Sequence, residues 1–403
     1  MGCNVLKHNF DKIDRYLTLM KQYWHYNAFI LNDYPTFSDN NALINFLHRL
    51  DDNKLLNYQQ NPASLYPLLK QFIPELLNVS DSLFDIKNDL LNNHIDVPFW
   101  LKKGIKGRKW VQVDQFSNYI EGTLPILEWC AGKGHLGRFI HYKTKNEVSA
   151  VEWNDELCNQ GLQLAQQQSI SQPFFVSNVL LGEASQLLSK KQHVVALHAC
   201  GDLHVHLING VKKALTEKVT ISLCCYHLTE HDNYQAVSSY ALQQSQLLSS
   251  ITLSKQDLKL AVAQQSTSGE RQTQLNDREV WWRLSFDCLQ KALLQTEAYL
   301  TVPSFPKTLL SNNFRDFAEW VTAYKQLDIE LPADLSVYLA QGQVRFNRLR
   351  RSELVSQFFR RPLELWLVYD RALSLQEAGY QVKISRFCDA NITPRNLLIQ
   401  ASR

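Results

Sequence analysis

Apolar positions in the first part of the chain recur every three to four places. Leu43, Ile44, Phe46, Leu47 and Leu50 form one such series, and Leu65, Leu68, Leu69, Phe72 and Ile73 form another. That spacing lines them up on one face of a helix. Asp39 or Asn40 stands where the first of these helices needs an N-cap. Gly2 and Gly104 bracket a stretch without glycine, punctuated by Pro35, Pro62, Pro74 and Pro98. The pattern changes near residue 123. Short apolar runs at 124–129, 148–153, 174–176, 194–197 and 219–223 alternate with helical stretches at 137–142 and 155–168. Strand and helix alternating at this spacing predict a parallel sheet covered on both faces.

The alternation lapses after Tyr226. Residues 229–300 are rich in Gln and Ser, and 264–277 are polar enough to predict a mobile loop. Helical spacing returns over 301–360, where Phe314, Phe317, Trp320, Val321 and Tyr324 fall on one face. A helix over 363–378 then ends at Gly379, and two strands follow at 382–387 and 397–401. The expected organisation has four parts. They are an N-terminal helical domain (1–105), the first part of an α/β domain (106–228), a mainly helical insertion with a polar loop (229–360), and the closing helix and strands of the α/β domain (361–403).

Composition adds little to this picture. The 403 residues are 45% hydrophobic and 20% charged, as expected of a globular chain with more than one unit. A net charge of +3 is too small to argue for a nucleic-acid partner by itself. The first residues lack an apolar signal region, Leu6 fails the myristoylation pattern, and no apolar run is long enough to cross a bilayer. Eight scattered cysteines then read as free thiols, and a cytoplasmic protein without membrane contact is expected.

The candidate chemistry begins at Glu128-Trp-Cys130-Ala-Gly132-Lys-Gly134-His-Leu-Gly137. Its G-x-G-x-x-G lies between strand and helix, where a tight turn meets the unpaired N–H groups of a helix start. Glu152 ends the next strand and is placed to accept both hydroxyls of a ribose. These features serve NAD and S-adenosylmethionine (SAM) equally. Glu128 separates them, because an acid ahead of the turn would repel a pyrophosphate and attract the cationic methionine end of SAM. The two closing strands point the same way. Cys130 is the departure, standing where the E-x-G-x-G-x-G pattern has its first glycine. The expected cofactor residues are Glu128, Cys130, Gly132, Lys133, Gly134, Gly137, Glu152, Trp153, Asn178 and Lys109, the last from a basic stretch before the first strand.

Four segments occur in order: Cys130 to Gly137, His198-Ala-Cys-Gly-Asp-Leu203, Cys224-Cys-Tyr-His227 and Thr393-Pro-Arg-Asn-Leu397. Together they resemble a family of SAM-dependent methyltransferase-domain proteins. It includes methyltransferase-like proteins once labelled rRNA adenine dimethylase-like and the glutathione S-transferase C-terminal-domain-containing protein. A more distant likeness is to the enzymes that 2′-O-methylate the tRNA acceptor stem. The resemblance covers about 107–228 and 361–403. It implies an α/β fold, a Rossmann-like class I methyltransferase sheet, with the N-terminal helical domain and the helical insertion lying outside it.

In such a sheet ligands bind beyond the carboxyl ends of the strands. Asp202 is the first choice for a general base or orienting group, against a plain role as helix cap. His227 is second, with Tyr226 beside it as a wall or stacking platform, and His198 is placed to line the same pocket. Each histidine has a structural role as its alternative. Cys130, Cys200, Cys224, Cys225, His198 and His227 have the donor types for zinc. Their spacing fits no standard zinc motif, and adjacent Cys224 and Cys225 should point to opposite faces of a strand, so inert thiols and no metal are expected. Arg345, Arg348, Arg350, Arg351, Arg360 and Arg361, interleaved with Phe346, Phe358 and Phe359, form the best RNA footprint in the chain. A solvated helix face is the alternative. The leading expectation is therefore methyl transfer from SAM to RNA of a tRNA-like kind. A protein or small-molecule acceptor is the alternative, and a non-enzymatic SAM-binding protein ranks last. The segment after the fourth strand is not of the N-P-P-Y type, which argues against the usual amino-group methylators.

Overall fold

A computed structural model describes residues 2–78, 86, 91, 95–247, 252–263 and 270–403. The chain divides into two compact units. One comprises residues 1–20, 79–263 and 359–403, and the other 21–78 and 264–358. The first helix, Gly2–Leu19, and the short helix Phe99–Lys102 thus belong with the α/β unit, as do residues 229–263 of the expected insertion, while the helices within 21–78 share a unit with residues 264–358.

The first unit is built on seven strands: β1 (Ile126–Trp129), β2 (Val148–Glu152), β3 (Phe174–Val176), β4 (His193–Cys200), β5 (Lys218–Cys224), β6 (Gln381–Arg386) and β7 (Leu397–Ser402). Their order is β3-β2-β1-β4-β5-β7-β6, parallel except for β7, which runs antiparallel to both its neighbours. The runs of β1, β4 and β5 are almost continuously buried, as strands covered on both faces must be. Phe116, Leu136, Phe139, Ile140, Val195 and Leu398 are among the side chains filling one side of the sheet. The helix Asp155–Gln167 starts where Asn154 Oδ1 accepts the Leu157 N–H, and the helix after β1 starts at His135, two residues before the expected Gly137.

The closing helix Arg360–Glu377 is buried from Pro362 through Leu375. It packs on the helix Gly2–Leu19, with Trp366 Nε1 donating to Asp14 Oδ1 at 2.9 Å. A helix apolar on so many sides belongs inside a layer and not on a surface. Its Asp370 takes hydrogen bonds from Tyr234 Oη, Val237 N, Ser238 N and Ser238 Oγ. Its Arg371 donates to His204 Nε2 at 2.7 Å and to Tyr234 Oη, and covers the Tyr226 ring. The tail of the chain therefore fixes the segment that leaves β5.

The second unit is helical. Asn40, not Asp39, caps the helix Asn41–Arg49. The core gathers Trp282, Phe286, Phe314, Phe317 and Val321. Tyr324 leaves the expected apolar face and is 62% exposed, stacked on Trp320. Part of the expected mobile loop, 264–269, lies outside the described residues; from Glu270 on, the stretch is the start of a helix that ends at Leu294. None of the described helices is long and apolar enough to cross a membrane.

Four of the six expected RNA-binding arginines lie in this unit, and all four are engaged within it. Arg345 is 7% exposed and pairs with Asp287 at 2.5 Å. Arg348 donates to Asn32 O, Arg350 to Gln59 Oε1 and Arg351 to Leu50 O. In the first unit Arg360 donates to Ala263 O and Arg361 to Glu364 Oε2. Phe346 and Phe359 are buried, and Phe358 stacks on Tyr66. The arginines face internal acceptors and do not form a free basic stripe.

Candidate active site

A cavity of about 750 Å³ opens at the carboxyl ends of β1, β2, β4 and β5, within the first unit. Its cofactor-facing side begins with the turn after β1. Cys130, Gly132 and Gly134 all have positive φ, at 55°, 56° and 65°. Cys130 thus takes the left-handed backbone that a glycine would take freely, at a cost of about 1 kcal/mol. Gly137 has a different reason to be glycine: a Cβ there would come within 2.6 Å of Glu128 Oε2 and collide with Gln172.

Glu128 does not line the cavity. It is 5% exposed, and its Oε2 accepts the Gly137 N–H at 2.8 Å and Gln172 Nε2 at 3.3 Å. Burial pushes its carboxyl up to about 7, although those donors and the Arg138 and Lys109 charges oppose the shift. Expected to meet the cofactor, Glu128 instead braces the helix start from below. Arg138, 1% exposed, completes the brace by donating to Lys133 O, Gln172 Oε1 and His135 Nδ1. Neither Arg138 nor Gln172 stood out in the sequence; the signal was only that each follows or precedes a glycine or strand whose backbone must be held. Lys133 and Lys109 stand outside the cavity lining, Lys109 on an exposed stretch.

Glu152, at the end of β2, does line the cavity. Gly132 N donates to its Oε2 at 2.9 Å, and Trp153 N and Asn154 N donate to its Oε1 at 3.1 Å each. Three backbone donors fix the carboxylate, two on Oε1 and one on Oε2, and Oε2 keeps a lone pair for a further donor. Trp153 is 69% exposed at the rim, and Asn178 lies at the end of β3.

The opposite side is built by β4 and β5. Asp202 opens the helix Asp202–Ala214 and lines the cavity with Cys200 and His227. Asp202 N donates to Leu228 O, and Asp202 Oδ2 accepts the Glu230 N–H at 2.9 Å. Gly201 before it has φ 56°, and a Cβ there would collide with the Leu228 carbonyl. Close approach of two backbones thus joins the helix start to the lip at 227–230. The Nδ1 of His227 is buried without a hydrogen-bond partner, and burial lowers the ring's pKa.

Two expected site residues sit elsewhere. Tyr226 is 2% exposed in the core between His204 and Arg371, so it is no wall of the cavity. His198 does not line the cavity either. It occupies an irregularity in β4 at φ 67°, and its Nε2 pairs with Gln112 Oε1 at 2.8 Å. Burial, helped by the Lys109 and Arg395 charges, lowers its pKa to about 4, so the ring is neutral and donates to Gln112.

Residues 108–232 match the sequence model of a family described as a methyltransferase domain. No curated protein matches the chain. Among solved structures, the fold is similar to a Pyrococcus horikoshii protein (12% identity, covering 26% of this chain and 51% of that one, TM-score 0.24). It is also similar to TrmK of M. capricolum with bound S-adenosyl-homocysteine (14% identity, 27% and 50%, TM-score 0.23). A third is the Pyrococcus abyssi tRNA (uracil-54, C5)-methyltransferase with S-adenosyl-L-homocysteine (16% identity, 29% and 29%, TM-score 0.24). The match spans about half the length of the first two of these chains.

Proposed function

We propose that this chain, whose residues 108–232 form a SAM-dependent methyltransferase domain on a Rossmann-like class I sheet, transfers a methyl group from SAM to RNA. The observation that carries the transfer is the meeting of Glu152 and Asp202 on one cavity across the β1–β4 crevice. The residues present fit the cofactor. Glu152 would hold the ribose, Trp153 and Asn178 would border the adenine, and Cys130, the residue of the turn that lines the cavity, would border the methionine chain. Bound SAM supplies an electrophilic methyl group. Asp202 then orients the acceptor and takes its proton, and His227, kept neutral by burial, is the second base on the same wall.

RNA as acceptor is supported by the likeness to enzymes that methylate tRNA and by the exposed basic run Lys103, Lys106, Arg108 and Lys109. A protein acceptor is the second reading. Asp202 and Glu230 place two carboxylates at the acceptor end against one ammonium, Lys255, a balance that suits a cationic side chain better than a phosphodiester. Labelled SAM offered with RNA-only and protein-only extract fractions separates them. Label in RNA is expected, label only in protein selects the second reading, and label in neither while calorimetry detects SAM binding removes the enzyme.

A further inference from the structure

Three sulfurs meet where β4 and β5 end. The Sγ atoms of Cys200, Cys224 and Cys225 all lie within 4.8 Å of one another, and those of Cys200 and Cys224 are 3.1 Å apart. Regular strands would not make this cluster, because adjacent residues alternate faces. Three backbone features make it. The register pairs Cys200 with Cys224. The irregularity at His198, between Leu197 and Ala199, resets β4 just before its end. Cys225 leaves the strand at φ 48°, which brings its sulfur back to the side of Cys224. Two left-handed non-glycine residues in one small region cost on the order of 1 kcal/mol or more each, and strain of this kind gathers at functional sites.

We propose that Cys200, Cys224 and Cys225 form a three-thiolate site for a zinc ion, with its fourth coordination position turned toward the cavity that Cys200 and His227 line. Zinc–sulfur bonds of about 2.3 Å at tetrahedral angles hold sulfurs about 3.8 Å apart. The Cys200 and Cys224 sulfurs, at 3.1 Å, are closer than that and all three lie within 4.8 Å of one another, so side-chain adjustment suffices. An all-sulfur donor set selects a borderline-soft ion over magnesium or calcium. Binding displaces three thiol protons to solvent and leaves the site with one net negative charge. Arg395, from the tail, acts electrostatically on Cys200 and Cys225 and has a buried Nε without a hydrogen-bond partner. His227, whose Nδ1 is buried without a hydrogen-bond partner, lines the same cavity as Cys200. Three protein ligands and one open position are the arrangement of catalytic zinc sites.

The test needs no activity. The full chain, purified under reducing conditions and desalted, is expected to hold about one zinc per molecule by elemental mass spectrometry. Cobalt(II) added to the zinc-free protein should give thiolate-to-metal charge-transfer absorption and tetrahedral d–d bands. Added imidazole should shift those bands; bands indifferent to imidazole overturn the open position. Cys200→Ser, Cys224→Ser and Cys225→Ser should each weaken zinc binding at least about tenfold in chelator competition, while Cys158→Ser and Cys388→Ser keep it. The cobalt spectrum of the unmodified chain stands even if a serine variant fails to fold. No zinc and no cobalt–thiolate absorption in the reduced protein overturns the proposal. So does a Cys200–Cys224 disulfide found in place of the metal.

Discussion

The two sides of the cavity position their groups by different means. On the β1 and β2 side, glycines supply most of the left-handed backbone, and two carboxylates, Glu128 and Glu152, are held by N–H groups of the same turn. Residues 126–178 contain nearly everything that side needs. On the β4 and β5 side, His198 and Cys225 take left-handed backbone without being glycine, and the segment 234–238 beyond the lip is held from the tail through Asp370 and Arg371. The β1 and β2 side is a local turn, while the β4 and β5 side stores strain and borrows its rigidity from distant sequence.

The largest effect that could break this contrast is Asp370→Ala. It would leave Tyr234 Oη, Val237 N, Ser238 N and Ser238 Oγ without their acceptor. We expect a loss of about 3–5 kcal/mol in urea unfolding. SAM affinity below the transition should stay within about threefold, since the other side does not depend on the tail. A proportionate loss of SAM binding would mean the two sides are one cooperative unit.

Glu152→Ala comes next. Removing a fixed carboxylate that would bind the ribose should lower SAM affinity by about 100- to 1,000-fold in calorimetry, or about 3–4 kcal/mol. A change under threefold would remove Glu152 from the cofactor site. Asp202→Ala should do the reverse, cutting turnover about 100-fold or more while SAM still binds. Equal losses in turnover and SAM affinity would place Asp202 on the cofactor side instead.

The smallest effect belongs to Glu128, whose carboxyl rises from 4.5 to about 7 on burial. The folded state holds this proton more tightly than the unfolded one. Its stabilising share is therefore complete below pH 4.5 and is lost as pH climbs through 7. Glu128→Gln should flatten that fall, by up to about 3 kcal/mol across the interval in pH-dependent denaturant melts. A variant with the parent's slope would show that the carboxylate is stabilised by its donors after all.

These contrasts also explain what could be read in the sequence. The turn after β1 was legible because its backbone demands particular residue types at fixed spacing, and so was the place of Glu152 at the end of the next strand, where it lines the cavity. The seven-stranded sheet and its interruption were legible from periodicity. The roles of Glu128, Tyr226 and the arginines were not. Charge and aromaticity in a sequence do not reveal which internal carbonyl or carboxylate a side chain will meet, and Arg348 and Arg351 meet the carbonyls of Asn32 and Leu50, far away in the chain. The cysteine cluster was hidden for a sharper reason. The rule that strand neighbours alternate faces was sound for a strand, but Cys225 at φ 48° is no longer in one.

The placement of β7 has a consequence for how the protein is made. β5 pairs on one edge with β4 and on the other only with β7. A ribosome must therefore synthesise everything between residues 225 and 396 before that second edge finds its partner. At about 5–20 residues per second, the nascent chain displays an apolar, unpaired strand for on the order of ten seconds or longer. Helical residues 270–358 emerge during that wait and have their own core to fold around. Translation pace across this interval, more than any single side chain, should govern how much of the protein reaches its sheet without aggregating.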